Sequence, residues 1–391
     1  MRGLAALFAL FLAACSAPTV EITPTPAPTH EPGTTLVTVL LDLSGARAPN
    51  GIAQRNAMQL WLDQQQARGG PQRIRAKFVD LAGSDAQLMI ELRRAAVDER
   101  ADAIVIGAPV RYDETFASAL GVARLPVLLT LPAPEPTSRR GGGWAFALAP
   151  TYSDLARAAV SDATQRGVLL PVLLASDESP PAVAERLALA AELEQRGLIA
   201  PTVVAVSAQE AAARLRAGAA FAHSAFFTGP GATYVEVTRS LAAAGITPRV
   251  YLSYLMESSD ASSLREGADI ATWPGSRNLA ALSTAPTSVE RATFLQSFSA
   301  RSGPASTLAA TAYDALALIE AASESAGGAP DPTRLRDRLE ATTFAGITTR
   351  YVFTAAHHAG FDTVDLVYLR WSTGARVGFA RAPEPAPKEE R

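Results

Sequence analysis

The chain has 391 residues, 48% of them hydrophobic and 19% charged, with a formal net charge of −3, and that length accommodates two domains. A near-neutral balance in which Lys77 and Lys388 are the only lysines argues against a nucleic-acid partner. Four histidines and one cysteine exclude a cysteine-rich zinc module and a disulfide framework.

Residues 1–14 read as a secretory signal, with Arg2 followed by an unbroken apolar run from Leu4 to Ala14. As a helix that run rises only about 16 Å, against the roughly 30 Å of a bilayer core. It ends in Leu12-Ala13-Ala14-Cys15, which resembles the bacterial lipobox, where cleavage leaves the cysteine as a lipidated N-terminus. The expectation is an exported chain held to a membrane through lipid on Cys15, in the periplasm or at the cell surface. Residues 15–34 carry prolines at 18, 24, 26, 28 and 32 and read as a semi-rigid tether. Residues 381–391 read as a disordered tail.

From Thr35 onward strand and helix alternate. Thr35–Asp42 is an apolar, β-branched strand ending in the turn Ser44-Gly45, and Gly51–Arg68 is a helix with Ala53, Ala57 and Leu60 on one face. Strand Arg73–Asp80, helix Asp85–Arg100, strand Ala103–Gly107, helix Asp113–Gly121 and strand Pro126–Leu131 follow. After Gly141-Gly142-Gly143 come strand Val168–Ala175, helix Pro181–Arg196, strand Thr202–Val206 and helix Ala208–Ala217. Strand Phe221–Thr228, helix Ala232–Ala244 and strand Arg249–Tyr254 precede three helices near 288–301, 305–326 and 332–341, and strands Tyr351–Thr354 and Val364–Trp371 close the pattern. Apolar strands separated by helices indicate two doubly wound α/β domains with parallel sheets covered on both faces.

Such sheets bind ligands outside the carboxyl ends of their strands. Here those ends are Asp42–Gly45, Gly107–Arg111, Thr130–Glu135, Thr228–Gly231 and Tyr254–Glu257. A cleft between two domains is also a favoured place for a small molecule.

Several segments resemble the type I periplasmic binding proteins, and within them the leucine/isoleucine/valine-binding group. The matching residues are Val39–Gly45, Gly51, Leu60–Gly70, Ala103–Gly107, Leu125–Thr130, Phe146–Pro150, Ala310–Leu318 with its Tyr-Asp-Ala, and Phe344–Ile347. The resemblance implies an α/β two-lobed clamp, each lobe a doubly wound parallel sheet, with three crossovers between lobes. Lobe one would be 35–149 plus 276–343, and lobe two 150–275 plus 344–380. It further implies a monomeric binder of a small-molecule solute, without enzymatic activity or cofactor, that serves an ABC permease and ATPase. Hinge closure on the solute suits that work. A sensory or regulatory lipoprotein with the same clamp, reporting to a receptor or a cell-wall enzyme, is the alternative.

The pocket departs from the family pattern. Members that bind amino acids hold the carboxylate with a serine after the third strand and an Ala-Thr pair after the fourth. This chain has Gly107-Ala108-Pro109-Val110-Arg111 at the first place and Leu131-Pro132-Ala133-Pro134-Glu135 at the second. Proline has no N–H to donate. The candidate ligand-binding residues are Ser44, Gly45, Arg111, Thr130, Ala133, Glu135, Tyr152, Thr228, Tyr254 and Glu257. Arg111 offers a guanidinium to an anionic group, and Tyr152 or Tyr254 a ring for stacking. His357-His358 has no His-x-x-x-His or cysteine partner and reads as structure rather than a metal site. The chain has no Gly-x-Ser-x-Gly elbow, phosphate-binding Gly-Lys loop or His-Glu-x-x-His.

Overall fold

A computed structural model describes residues 33–45, 47–69, 73–136, 141–167, 171–175, 178–200, 202–204, 224–228, 243, 249–256, 268–272, 289–303, 305–325, 331–372 and 375–379. The signal segment, Cys15, Glu257, the helices expected at 208–217 and 232–244 (apart from residue 243) and the tail lie outside the described residues.

The first strand, β1 (Thr35–Leu41), is buried along nearly its whole length because a central parallel strand is covered on both faces. Helix α1 (Ala48–Ala67), β2 (Ile74–Asp80), α2 (Asp85–Val97), β3 (Ala103–Ile106), α3 (Glu114–Ala123), β4 (Val127–Leu129) and β5 (Ala145–Ala147) complete an all-parallel sheet of order β2-β1-β3-β4-β5. Ser84 and Asp113 cap α2 and α3 by accepting N–H bonds from Gln87 and from Thr115 and Phe116. Helix α1 carries Pro49 in its first turn and buries Gln54, Ala57, Met58, Trp61 and Gln65.

The second sheet follows α4 (Tyr152–Gln165), whose N-terminus is closed by a Thr151–Asp154 capping box. Its strands are β6 (Pro171–Ala175), β7 (Thr202–Val204), β8 (Ser224–Thr228), β9 (Arg249–Leu252), β10 (Ala268–Thr272), β13 (Val367–Ser372) and β14 (Ala375–Phe379), with α5 (Pro180–Gln195) between β6 and β7. The order is β14-β13-β10-β9-β8-β6-β7. The five strands from β7 to β10 run parallel, whereas β13 is antiparallel to β10 and β14 to β13. The sheet is thus the expected parallel one with an antiparallel edge added by β13 and β14. The return from β13 needs only a hairpin, not a helical crossover.

Between β10 and β13 the chain forms α6 (Val289–Ser302), α7 (Thr307–Ser325), α8 (Pro332–Ala341) and a hairpin of β11 (Thr343–Ala345) and β12 (Arg350–Val352). Helix α7 packs along α1, so these helices cover the first sheet although they lie late in the sequence. Buried Val37, Trp61, Leu128, Phe146, Leu155, Phe226, Tyr254, Leu316 and Tyr351 belong to one cluster, which makes the core continuous from the first sheet to the second. No helix among the described residues is long and apolar enough to cross a membrane.

Among the described residues, two connections join the sheets side by side. The chain leaves the first sheet at β5 and enters α4, and it returns from the β11–β12 hairpin to β13 through 353–366. Ala147 and Ala359 form a parallel bridge, with Ala147 N–H donating to the His358 carbonyl at 2.8 Å and Gly360 N–H to the Ala147 carbonyl at 3.0 Å.

Candidate functional site

The strand ends of the two sheets meet around α1. At the end of β1, Asp42 is buried, accepts the Gly83 N–H at 2.8 Å and pairs with Arg47 Nε at 2.7 Å. Gly51 lets the first turn of α1 lie on β1, since a Cβ there would fall onto the Asp42 carbonyl oxygen. Ser44 and Gly45 are exposed on the turn, and Gly45 takes φ +76°, which favours glycine. The Ser44 hydroxyl donates to Asp80, which also accepts N–H groups from Leu43 at 2.8 Å and Ala82 at 2.9 Å. The Ala82 N–H, the strongest of these influences, and the Ser44 and Leu43 bonds hold the Asp80 carboxyl below its ordinary pKa.

Thr130 turns away from the strand-end surface. It is fully buried, its hydroxyl donates to Gln54 Oε1 at 2.6 Å and lies 3.2 Å from the Ile106 carbonyl, and Gln54 Nε2 donates to the Gly107 carbonyl at 2.8 Å. Ala133 is buried in the apolar cluster between α2, α3 and the sheet, and its carbonyl accepts the Tyr152 N–H at 3.3 Å. Thr228 is also fully buried at the end of β8, its hydroxyl 3.5 Å from the Leu174 carbonyl. All three of these expected ligand-binding residues are buried, Thr130 and Thr228 fully and Ala133 to 3% exposure.

Arg111 is exposed, and its guanidinium forms no ion pair among the described residues. Glu135 is half-buried and serves the lobe connection, accepting the His358 N–H at 3.2 Å and facing His357 Nδ1 at 3.3 Å. Tyr152, the first residue of α4, is 5% exposed, and Tyr254 is 2% exposed. Burial, followed by the charge of Glu185, pushes the Tyr152 phenol far above its ordinary pKa. A small cavity of about 30 Å³, room for a water molecule, lies among Tyr254, Tyr251, Phe226, Leu155 and Glu185.

Two residues that the sequence reading missed matter here. Asn50, in the first turn of α1, donates its amide to the Leu255 carbonyl at 3.2 Å, across from the first sheet to the loop after β9. Glu185 is 6% exposed on α5, in line with the buried Leu189 and Leu193 at helical spacing. That spacing was the available signal for Glu185. Nothing in the sequence marks Asn50. Among the described residues no group of three or more His, Cys, Asp and Glu is placed to hold a metal.

The family model for periplasmic binding proteins matches residues 35–375. The chain belongs to that family. Its members are typically extracytoplasmic binding proteins. No curated protein matches the chain. Among solved structures, an extracellular ligand-binding receptor from Rhodopseudomonas palustris is 18% identical, with 89% of this chain and 100% of that one covered at a TM-score of 0.74. The branched-chain amino acid transporter substrate binding protein LivJ from Streptococcus pneumoniae, in complex with isoleucine, is 19% identical, covering 88% of this chain and 97% of its own at 0.71. A possible leucine/isoleucine/valine-binding protein from Rhodopirellula baltica is 13% identical, covering 90% and 98% at 0.74. These likenesses establish the type I binding-protein fold, a two-lobed clamp, for this binding protein.

Proposed function

We propose that this protein is the solute-binding lipoprotein of an ABC importer, anchored through Cys15, which captures a small polar organic solute between its lobes by hinge closure. The observation that carries this reading is the Asn50–Leu255 bond, which ties the strand-end loops of the two sheets across the place where such folds hold a ligand. In this reading lobe one is 35–149 plus 276–343 and lobe two 150–275 plus 344–380. Support comes from a first sheet that ends at Ala147 and a second that begins at Pro171. Ser44, Gly45 and Arg111 offer the exposed polar contacts on lobe one and Tyr152 and Tyr254 the aromatic floor on lobe two, while Glu257, outside the described residues, is the candidate carboxylate that follows Met256 in sequence.

The solute differs from a free amino acid in how it is held. Pro109, Pro132 and Pro134 remove backbone donors from both loops that would grip a carboxylate, and Thr130 gives its hydroxyl to Gln54. Arg111 is the remaining cation there, which favours an amide or a small carboxylate held by a side chain. The same loss of donors favours, as a second reading, a sensory clamp that reports solute state without transport.

Thermal-shift screening of the Cys15→Ala protein against amino acids, amides, ureas, carboxylates, sugars and nucleosides tests both. A solute at 100 times its dissociation constant adds about 2.7 kcal/mol, or a midpoint rise of roughly 3 °C for a chain of this size. A shift with one chemical class supports capture and names the solute. A folded sample that responds to none contradicts the transport reading.

A further inference from the structure

The helices that cover the first sheet enclose an open pocket of about 660 Å³. Small-molecule sites span roughly 300–1,000 Å³. Its walls are the last turns of α1, the first turns of α6, one face of α7 and the start of the β11–β12 hairpin. Gln64 on this wall lies about 20 Å along α1 from Asn50, whose side chain joins the strand ends of the two sheets. The pocket is therefore separate from those strand ends, and what it binds does not depend on the solute held there.

Small side chains make the space. Ala317 and Ala321, four residues apart on α7, share a face and bring no bulk to it, while Tyr313 and Phe344 add half-buried rings. That part of the lining suits a flat hydrocarbon body.

The ionic part of the lining is lopsided, with Glu290, Glu320 and Glu324 against Arg68. Arg68 is engaged within the wall, its guanidinium 5.9 Å from the centre of the Trp61 ring and 3.7 Å from Glu320. Glu324 pairs with Arg73. Asp314 also reaches the lining, but its oxygens accept the N–H groups of Ile347 and Thr348. Glu290, exposed on the first turn of α6, forms no ion pair among the described residues. Burial, then the charge of Asp314, with Glu320 and Glu290 adding to them, pushes the Tyr313 phenol up to about 12 against the opposing charge of Arg68. The field at this wall is thus negative, and a carboxylate beside an aromatic ring holds an ammonium group by charge and by the ring's electrons.

We propose that this pocket is a second binding site of the protein, for an organic amine with a flat apolar body. The body lies against Ala317, Ala321 and Phe344, and the ammonium group sits at Glu290 beside the Tyr313 ring.

Titration calorimetry with phenethylamine tests the site. The amine binds, phenethyl alcohol of the same shape binds at least about 10-fold more weakly, and Glu290→Gln weakens the amine by about 10-fold, the scale of one charge-assisted bond. Glu114→Gln, which neutralises an exposed first-turn carboxylate on α3, leaves the affinity unchanged. Ala321→Trp fills the pocket and abolishes binding, with an unfolding midpoint within about 2 °C of the parent as the check on its fold. No binding at millimolar amine, equal affinity for the alcohol, equal losses in Glu290→Gln and Glu114→Gln, or undiminished binding in a folded Ala321→Trp protein would each overturn the proposal.

Discussion

Asn50 and Leu255 are 205 positions apart in sequence, yet the side-chain amide of the first donates to the backbone carbonyl of the second at 3.2 Å. Asn50 lies in α1 beside the end of β1, and Leu255 in the turn that follows β9, so the bond joins the two sheets at their strand ends. A net hydrogen bond of this kind contributes about 1 kcal/mol. Asn50→Ala is expected to shift the closed-to-open ratio by roughly 5-fold while leaving the unfolding midpoint within about 2 °C. Small-angle scattering or fluorescence transfer between labelled lobes measures the ratio. An unchanged distance distribution would remove Asn50 from lobe closure.

Gln54 is a fully buried amide that serves two strand ends at once, accepting from Thr130 and donating to the Gly107 carbonyl. Replacing it with leucine keeps the volume and strands the Gly107 carbonyl, whereas the Thr130 hydroxyl can still donate to the Ile106 carbonyl. A buried unsatisfied group costs about 1–3 kcal/mol, so Gln54→Leu should lose roughly 1–3 kcal/mol in urea unfolding. Gly107 belongs to the same junction, since a Cβ there would meet Gln54 and Leu41.

The sequence carried the long elements because their signals are local. The apolar run of β1 and β3, the caps of α2 and α3, and the stripe of α7 each follow from side chains within a few residues. The strands β5 and β11 have three residues each, too few to show alternation, and β14 reads as coil before its hairpin partner is known. The Ala147–Ala359 bridge is made of backbone groups and leaves no side-chain pattern to read. In the candidate site, Ser44 and Gly45 were legible because a Ser-Gly turn after a strand demands exposure. Thr130 and Ala133 sit at an equally suggestive strand end, but which way a side chain points there depends on α1 and α3, whose contacts the sequence does not show.

Arg111 is exposed at the end of the β3 loop, and its removal should leave stability within about 0.5 kcal/mol. Its effect should fall on binding of any anionic solute the screen finds, with Arg111→Ala weakening a charged hydrogen bond by about 1.5–3 kcal/mol, or roughly 10- to 100-fold in dissociation constant. Calorimetric titration measures that loss. Equal affinity in the two proteins would place the solute away from this loop.

Asp314 pins the turn of the β11–β12 hairpin. From the middle of α7 its carboxylate accepts the N–H of Ile347 at 2.7 Å and of Thr348 at 3.0 Å, the Thr348 hydroxyl, and the Tyr351 hydroxyl at 3.1 Å. Burial is the largest influence and raises its pKa to about 6, with the bonds from Thr348, Ile347 and Tyr351 opposing it. Because the folded value lies above the ordinary 3.8, the unfolded chain gives up its proton first as pH rises. This group's contribution is therefore fully present below about pH 4, declines through pH 4–6, and is level above that. The decline is about 3 kcal/mol for a shift of this size. Asp314→Asn removes the titration but places an amide N–H₂ against one of the bound N–H donors, at a cost of about 2 kcal/mol at any pH. Urea unfolding at pH 4, 5, 6 and 7 should therefore show the difference between the two proteins shrinking as pH rises. A difference that stays constant from pH 4 to 7 would mean that Asp314 enters the folded state already ionised, with its four donors outweighing its burial.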